Sequence, residues 1–238
     1  EKSFHYTSSP SGIEFILNGV KKRLTFYNQS IVRVSVAKEN DSFTDSRLVV
    51  VLSPPNVHFT VEESDDLTLK TDSLTLKINK QYGSIHFYNS QDQLYVMEEE
   101  ALPSLLPDTT TSSGSNYRIR QGFKLTDQEG IYGLGQFQDG LMNYRNQRVE
   151  LVQANKISIV PHLVSSNNYG LLWDTYSHST FSDNPEGAFF TAEVAEQIDY
   201  YFIGGHSMDN VISGYRALTG KAPMFSKKAF GLWQSKER

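Results

Sequence analysis

Cysteine is absent from the 238-residue sequence, which excludes disulfide bonds, thiol catalysis, thiolate-bound zinc and iron–sulfur clusters. No run approaches the roughly 18 apolar residues that a membrane-spanning helix needs, and no segment resembles a signal peptide. Basic residues are in a minority, because 22 Lys and Arg stand against 27 Asp and Glu, for a net charge of −5. This balance argues against a general nucleic-acid-binding function.

Motifs for self-contained catalysis are also missing, including the P-loop, G-x-G-x-x-G, G-x-S-x-G and H-E-x-x-H patterns. Six histidines are scattered without paired spacing; His178 and His206 are the best ligand candidates, and a surface role is the simpler interpretation. Nothing in the sequence places two carboxylates at the separation that glycosidases use. The carboxylates considered are Asp139, Asp174, Asp183, Asp199 and the run 98–100, which we expect to be solvated. The residues alone therefore predict no catalytic group, no metal site and no cofactor.

Aromatic residues are plentiful, with 14 Phe and 13 Tyr, so the chain can bury a substantial core. Apolar residues alternate with polar ones in short runs separated by turn signals, the pattern of a β-sandwich or barrel. Strands are predicted at residues 12–17, 22–27, 31–37, 47–52, 67–70, 73–79, 85–88, 117–125, 131–135, 148–152, 156–164, 169–173, 188–193 and 198–204. The polar stretch 108–116 predicts an exposed loop.

One helix is predicted near the end of the sequence. Ser207 can cap it, Gly220 and Pro223 can end it, and the apolar residues Val211, Ile212, Tyr215 and Leu218 fall on one face. Residues 229–234 (AFGLWQ) then predict a further buried strand only four residues before the sequence stops. An unpaired strand is an unfavourable place for a chain to end. We therefore expect these 238 residues to open a longer protein.

Residues 132–155 combine aromatic rings with side-chain amides, a mixture that suits carbohydrate contact. Ring faces can stack on sugar C–H groups while amides pair with hydroxyls. The competing interpretation is a polar loop whose rings fill the core, and the residues alone favour it.

Four ordered motifs between residues 131 and 238 resemble glycoside hydrolase family 31, the α-xylosidase and α-glucosidase family. They are Y-G-L-G at 132–135, Y-G-L-L-W-D at 169–174, V-I-S-G-Y-R-A-L-T-G-K-A-P at 211–223 and G-L-W-Q-S-K-E-R at 231–238. Residues 140–144 and 151–155 resemble the α-xylosidase branch, including enzymes that act on xyloglucan fragments. In the first 130 residues, only the strand at 31–36 resembles the family's mutarotase-like sandwich.

The resemblance implies a mainly β fold: an antiparallel, galactose-mutarotase-like β-sandwich over residues 1–222 with one short C-terminal helix. Residues 223–238 would begin a (β/α)8 catalytic barrel whose two catalytic aspartates lie beyond Arg238, leaving this chain inactive alone. The loop at 150–156 would contact the leaving-group sugar through Gln153 and Asn155. Some α-glucosidases carry Asp there, so the amides leave the sugar preference open. Trp233 and Gln234 would face the sugar pocket in the complete protein.

The implied partners are an oligosaccharide substrate and the C-terminal barrel of the same chain, with no cofactor, nucleic acid or membrane span. A bacterial periplasmic, cell-surface or secreted location is expected by analogy with polysaccharide-degrading relatives. Two other hypotheses stay open: a free-standing carbohydrate-binding module using the aromatics at 132–155, and a purely structural or interaction domain. A natural binding module has no reason to end inside a strand, which favours the glycosidase interpretation.

Overall fold

Alternating apolar and polar residues form eighteen strands and one α-helix within the described residues. The computed structural model describes residues 4–45, 47–101, 103–107 and 116–234. The strands are β1 Tyr6–Ser9, β2 Gly12–Leu17, β3 Val20–Phe26, β4 Ile31–Lys38, β5 Thr60–Glu63, β6 Asp66–Lys70, β7 Leu74–Asn79, β8 Ile85–Asn89, β9 Leu94–Glu98, β10 Ser104–Pro107, β11 Tyr117–Lys124, β12 Ile131–Gln136, β13 Arg148–Leu151, β14 Ser158–Ser165, β15 Tyr169–Trp173, β16 Ser179–Asn184, β17 Gly187–Ala195 and β18 Ile198–Gly204. The helix α1 spans Met208–Thr219, and a 3₁₀ turn spans Lys227–Phe230.

The strands form two antiparallel sheets that pack face to face. Sheet A has eight strands in the order β1-β2-β3-β4-β18-β15-β14-β12. Sheet B runs β13-β16-β17-β11-β9-β8-β7-β6-β5, and its tenth strand, β10, pairs with β11. Every named pair is antiparallel, and the main core lies between the two sheets. The predicted antiparallel sandwich with one short C-terminal helix is therefore confirmed.

Strands β4 and β18 at the centre of sheet A are buried on both faces. Their inner face contributes to the core between the sheets, and α1 packs on the outer face against β14, β15 and β18. This second contact forms a smaller apolar cluster whose buried members include Ile31, Tyr201, Val211 and Leu218. Double coverage explains why residues 198–204 form the most continuously apolar strand in the sequence.

Helix α1 has the predicted ends. The Ser207 side chain accepts a hydrogen bond from the Asn210 N–H, and Gly220 closes the helix at φ +89°. Ile212, which the periodicity assigns to the packed face, is instead 44% exposed. His162 of β14 stacks on Tyr215 of the helix with the ring centroids 4.5 Å apart. The helix is thus fixed to sheet A by its apolar residues and by this ring pair.

Two predicted strands do not form. Segment 47–52 is irregular and lies against the end of α1, where the Val51 and Leu52 N–H groups donate to the Leu218 carbonyl. Residues 229–234 form part of the 3₁₀ turn and an irregular segment, and Trp233 is 76% exposed. A strand requires a neighbour with free backbone groups, and neither segment has such a neighbour among the described strands.

Five observed strands are not predicted by the sequence patterns: β1, β5, β9, β10 and β16. Most of them are short or carry many polar residues, as in YTSS, TVEE and STFSDN. Each pairs with a strand next to it in the chain, so the pairing is local, but the short or polar sequence of the strand gives no clear alternation.

Gly135 in β12 has a backbone geometry that a side chain cannot adopt easily. Its φ is +129°, and an added Cβ would lie 2.2 Å from the Ser158 carbonyl oxygen of β14. We expect Gly135→Ala to lower the free energy of unfolding by about 3 kcal/mol or more, because backbone must move in addition to the conformational strain. Chemical denaturation followed by circular dichroism measures this change.

Gly140→Ala is the matched control. Gly140 also has positive φ, at +74°, but an added Cβ meets nothing within 4 Å. We expect it to cost about 1 kcal/mol through conformational strain alone. Equal losses in the two variants would show that the contact with Ser158 is unimportant.

His162 makes the attachment of α1 sensitive to acid. Burial lowers the pKa of His162 from 6.5 to about 4, and its buried Nε2 has no hydrogen-bond partner. The unfolded chain therefore binds this proton more readily than the folded chain, so stability falls as the pH drops from about 6.5 to about 4. The loss attributable to His162 amounts to about 3 kcal/mol. Denaturation of wild type and His162→Phe across this range should show a smaller decline in the variant; parallel curves would contradict the assignment.

Candidate substrate-contacting loop and apolar face

The loop between β13 and β14 crosses from sheet B to sheet A at one end of the sandwich. A single β-bridge between Ala154 and Ile157 closes it, and Lys156 takes a left-handed conformation with φ +68° at its turn. Because both flanking strands are paired in their sheets, the loop is held at both ends. It contains most of the segment 150–156 that the resemblance associates with the leaving-group sugar, whose first two residues belong to β13.

The two amides of this loop have different surroundings. The Gln153 amide donates to the Ile157 carbonyl and accepts from the Ile159 N–H, so it closes the loop. Asn155 is exposed near the tip, and its side chain makes no hydrogen bond within the described residues. Gln153 therefore shapes the loop, while Asn155 is free to bind a partner.

Trp233 and Gln234 lie in the exposed segment after the 3₁₀ turn. The Trp233 Nε1–H donates to the Ala229 carbonyl at 2.8 Å, a contact within the segment itself. No hydrogen bond or ring contact joins Trp233 or Gln234 to Gln153 or Asn155 in the part of the chain that the structure describes. The four predicted substrate-binding residues therefore form two separate pairs, one on the loop and one on the C-terminal segment.

An apolar groove of about 510 Å³ borders the loop. Val152 and Gln153 line it from the loop, and Val160, Tyr176 and Tyr215 line it from β14, the β15–β16 connection and α1. Large apolar side chains extend this surface: Leu48 is 82% exposed, Val51 68% and Tyr176 55%. We name this surface, formed by Leu48, Val49, Val51, Val152, Val160 and Tyr176, the apolar face. Contiguous exposed apolar surface of this kind marks an interaction site more often than a free surface.

A buried ionic network lies behind the apolar face. Asp199 of β18 pairs with Arg33 of β4 at 2.8 Å and with Arg47, whose Nε lies 3.3 Å from Asp174. Burial raises the pKa of Asp174, against the opposing effect of Arg47. The network fixes segment 47–52 to sheet A and so positions Leu48, Val49 and Val51. The sequence gives no local signal for it, because the two partners of each of these ion pairs lie more than a hundred residues apart.

The other carboxylates considered as catalytic candidates lie apart from this network. Asp183 pairs with Arg145 at 2.7 Å, and exposed Asp139 accepts the Leu141 N–H. The expectation that 98–100 is a solvated run is wrong at Glu98, which is 1% exposed and ion-paired with Lys22 at 2.7 Å. Each buried carboxylate among these has a cationic partner and a structural role.

The two candidate histidines lie in separate parts of the surface. His178 contacts Glu150 at 2.7 Å and Glu193 at 3.4 Å, and His206 borders a separate polar groove. No group of three potential metal ligands occurs within the described ranges. Within the same ranges, no helix has both the length and the apolar character needed to cross a membrane.

Two of the three aromatic residues considered for sugar stacking belong to the core. Tyr144 is buried and packs edge-on against the partly buried Phe137, with centroids 5.8 Å apart. The third, Tyr132, lies half-buried in β12. Their rings therefore do not form an open stacking surface, which favours the core interpretation of residues 132–155.

Comparison with known proteins agrees with this architecture. Residues 21–182 match the profile of the glycosyl hydrolase 31 N-terminal galactose mutarotase-like domain. An α-xylosidase of Saccharolobus solfataricus is 31% identical over 233 residues, covering 93% of this chain and 31% of that protein. An uncharacterised family 31 glucosidase of Pseudescherichia vulneris is 27% identical over 232 residues, covering 89% of this chain and 43% of that protein.

A solved structure, the family 31 α-xylosidase of Xanthomonas citri, superposes with a TM-score of 0.86 at 22% identity, covering 98% of this chain and 42% of that one. The chain thus spans less than half the length of each of these three proteins. The matched profile covers most of the sandwich and both sheets. This chain therefore belongs to glycoside hydrolase family 31, as its N-terminal mutarotase-like β-sandwich domain.

Proposed function

We propose that the chain is the non-catalytic sandwich of a retaining α-glycosidase of the α-xylosidase type, which removes terminal α-linked sugars from oligosaccharides. In such an enzyme a carboxylate forms a covalent glycosyl-enzyme, and a second carboxylic acid protonates the leaving oxygen and later activates water. Both groups would lie in a barrel that follows residue 222. The substrate class is supported by the 31% identity with an α-xylosidase over nearly the whole chain.

The observation that carries the proposed role is the apolar face beside the β13–β14 loop. Leu48, Val51 and Tyr176 are too exposed for a surface that faces water only. A barrel packed on this face would bury them and would bring the loop to its mouth. The exposed segment 224–233, which includes the apolar residues Met224, Leu232 and Trp233, follows α1 and would continue into that barrel.

Activity of the complete enzyme tests the proposal. We expect the full-length natural protein to hydrolyse aryl α-xyloside faster than the matching α-glucoside and α-galactoside, and this 238-residue chain to hydrolyse none of them. Initial rates of nitrophenol release from both proteins provide the comparison. Turnover by this chain alone would place the active site among the carboxylates assigned structural roles above.

The β13–β14 loop is proposed to contact the leaving-group sugar through Asn155. We expect Asn155→Ala in the full-length enzyme to raise KM for a xyloglucan oligosaccharide about five-fold, the effect of one lost hydrogen bond. KM for aryl α-xyloside should stay unchanged, because its leaving group has no sugar to contact. Steady-state kinetics on both substrates measures the difference.

Gln91→Ala is the matched control, because Gln91 is an exposed amide in the β8–β9 turn, in a different part of the fold. It should leave both KM values unchanged. If Asn155→Ala raised KM equally for the oligosaccharide and the aryl α-xyloside, Asn155 would not contact the leaving-group sugar.

A further inference from the structure

The outer face of sheet B carries a groove of about 730 Å³ that extends away from the β13–β14 loop. Its floor is a row of polar side chains, one from each of five neighbouring strands. Strand register places them side by side across β10, β11, β17, β16 and β13, in the order Ser104, Arg120, Thr191, Thr180 and Glu150. At the usual strand spacing of about 4.8 Å, the row is about 19 Å long. This length and volume suit an extended ligand.

Charges in the groove largely balance one another. Arg120 pairs with Glu99 at 2.7 Å, and Arg148 pairs with Glu150 at 2.6 Å. His178 contacts Glu150, and the hydrogen bond to Glu150 raises the pKa of His178. Apart from the charge of Arg118, little net charge is therefore left to attract an ion. The paired groups still offer N–H donors and oxygen acceptors along the row.

The groove also offers unpaired hydrogen-bond donors, apolar contacts and hydroxyl groups, which are the other groups that bind a saccharide. Arg118, which is exposed and has no ion pair among the described residues, adds free donors at one side. Leu106, 58% exposed, and Val152 supply apolar contacts for sugar C–H groups. Thr191 adds a hydroxyl at the centre of the floor, next to the buried Thr180, whose hydroxyl donates to Glu150.

We propose that this groove binds a neutral oligosaccharide. Glu150 and Val152 connect the groove to the β13–β14 loop. The groove would therefore bind a part of a long substrate that lies far from the bond to be cleaved. That identification of the bound saccharide with the substrate rests on the proposed function. Binding itself depends only on this chain.

Nuclear magnetic resonance titration of the isotope-labelled chain tests the proposal, with a xyloglucan oligosaccharide and cellotetraose as neutral probes. We expect signals from Thr180, Thr191 and Arg120 to shift, with an affinity that does not change between low and high salt. Thr191→Val, which removes one outward hydroxyl, should raise Kd about five-fold, and the exposed Arg118→Gln should weaken binding similarly.

The control is Thr68→Val, because Thr68 lies on the same outer face of sheet B in β6, outside the groove. It should leave Kd unchanged, and the amide spectra should show that every variant is folded. Absence of binding, shifts confined to residues outside the groove, or salt-dependent preference for a sulfated oligosaccharide would overturn the proposal. Groove binding together with an inactive full-length protein would refute the proposed function and leave this inference standing.

Discussion

The buried carboxylate of Glu98 joins the two sheets, and the sandwich depends on it. Glu98 belongs to β9 of sheet B, where it accepts the Ile85 N–H, and it also binds Lys22 and the Tyr200 hydroxyl of sheet A. Burial and the Glu98 charge raise the pKa of Tyr200, which keeps this hydroxyl a hydrogen-bond donor. An uncompensated charge inside the core would be strongly unfavourable, so the sheets must stack where all three donors reach Glu98. Apolar packing alone would allow one sheet to shift slightly over the other, whereas the hydrogen bonds and ion pair of Glu98 do not allow such a shift.

Fixing the two sheets also fixes the segments that join them. The β13–β14 loop starts in sheet B and ends in sheet A, so its tip can move little while the sheets hold their relative position. The ionic network of Arg33, Arg47 and Asp199 then holds segment 47–52 on the outer face of sheet A. The apolar face and the loop consequently form one preformed surface, the arrangement that lets a partner bind without an ordering cost.

The sequence predicts those features that have a strong local pattern and misses short polar strands and ion pairs between distant residues. Alternation predicts most strands, and Ser207 and Gly220 predict the limits of α1 correctly. The charge run at 98–100 conceals Glu98, because its partner Lys22 lies 76 residues away. Gln153 and Asn155 look equivalent in the sequence, and only the folded loop separates a closing amide from a free one. The barrel boundary at residue 222 stays a prediction.

A domain without catalytic groups can still determine which substrates react, provided that it holds its contacts rigidly. A hydrogen bond to the leaving-group sugar adds binding free energy only if the protein group is already in position. Ordering a mobile loop would cost conformational entropy of about the same size as the free energy of that hydrogen bond. Gln153 removes that cost by closing the loop on Ile157 and Ile159, which leaves Asn155 presented on a fixed turn. The row on sheet B is held in a different way, because each of its side chains lies on a paired strand. The position of the β13–β14 loop therefore depends on the Glu98 contact between the sheets, whereas the row depends on strand pairing within sheet B alone.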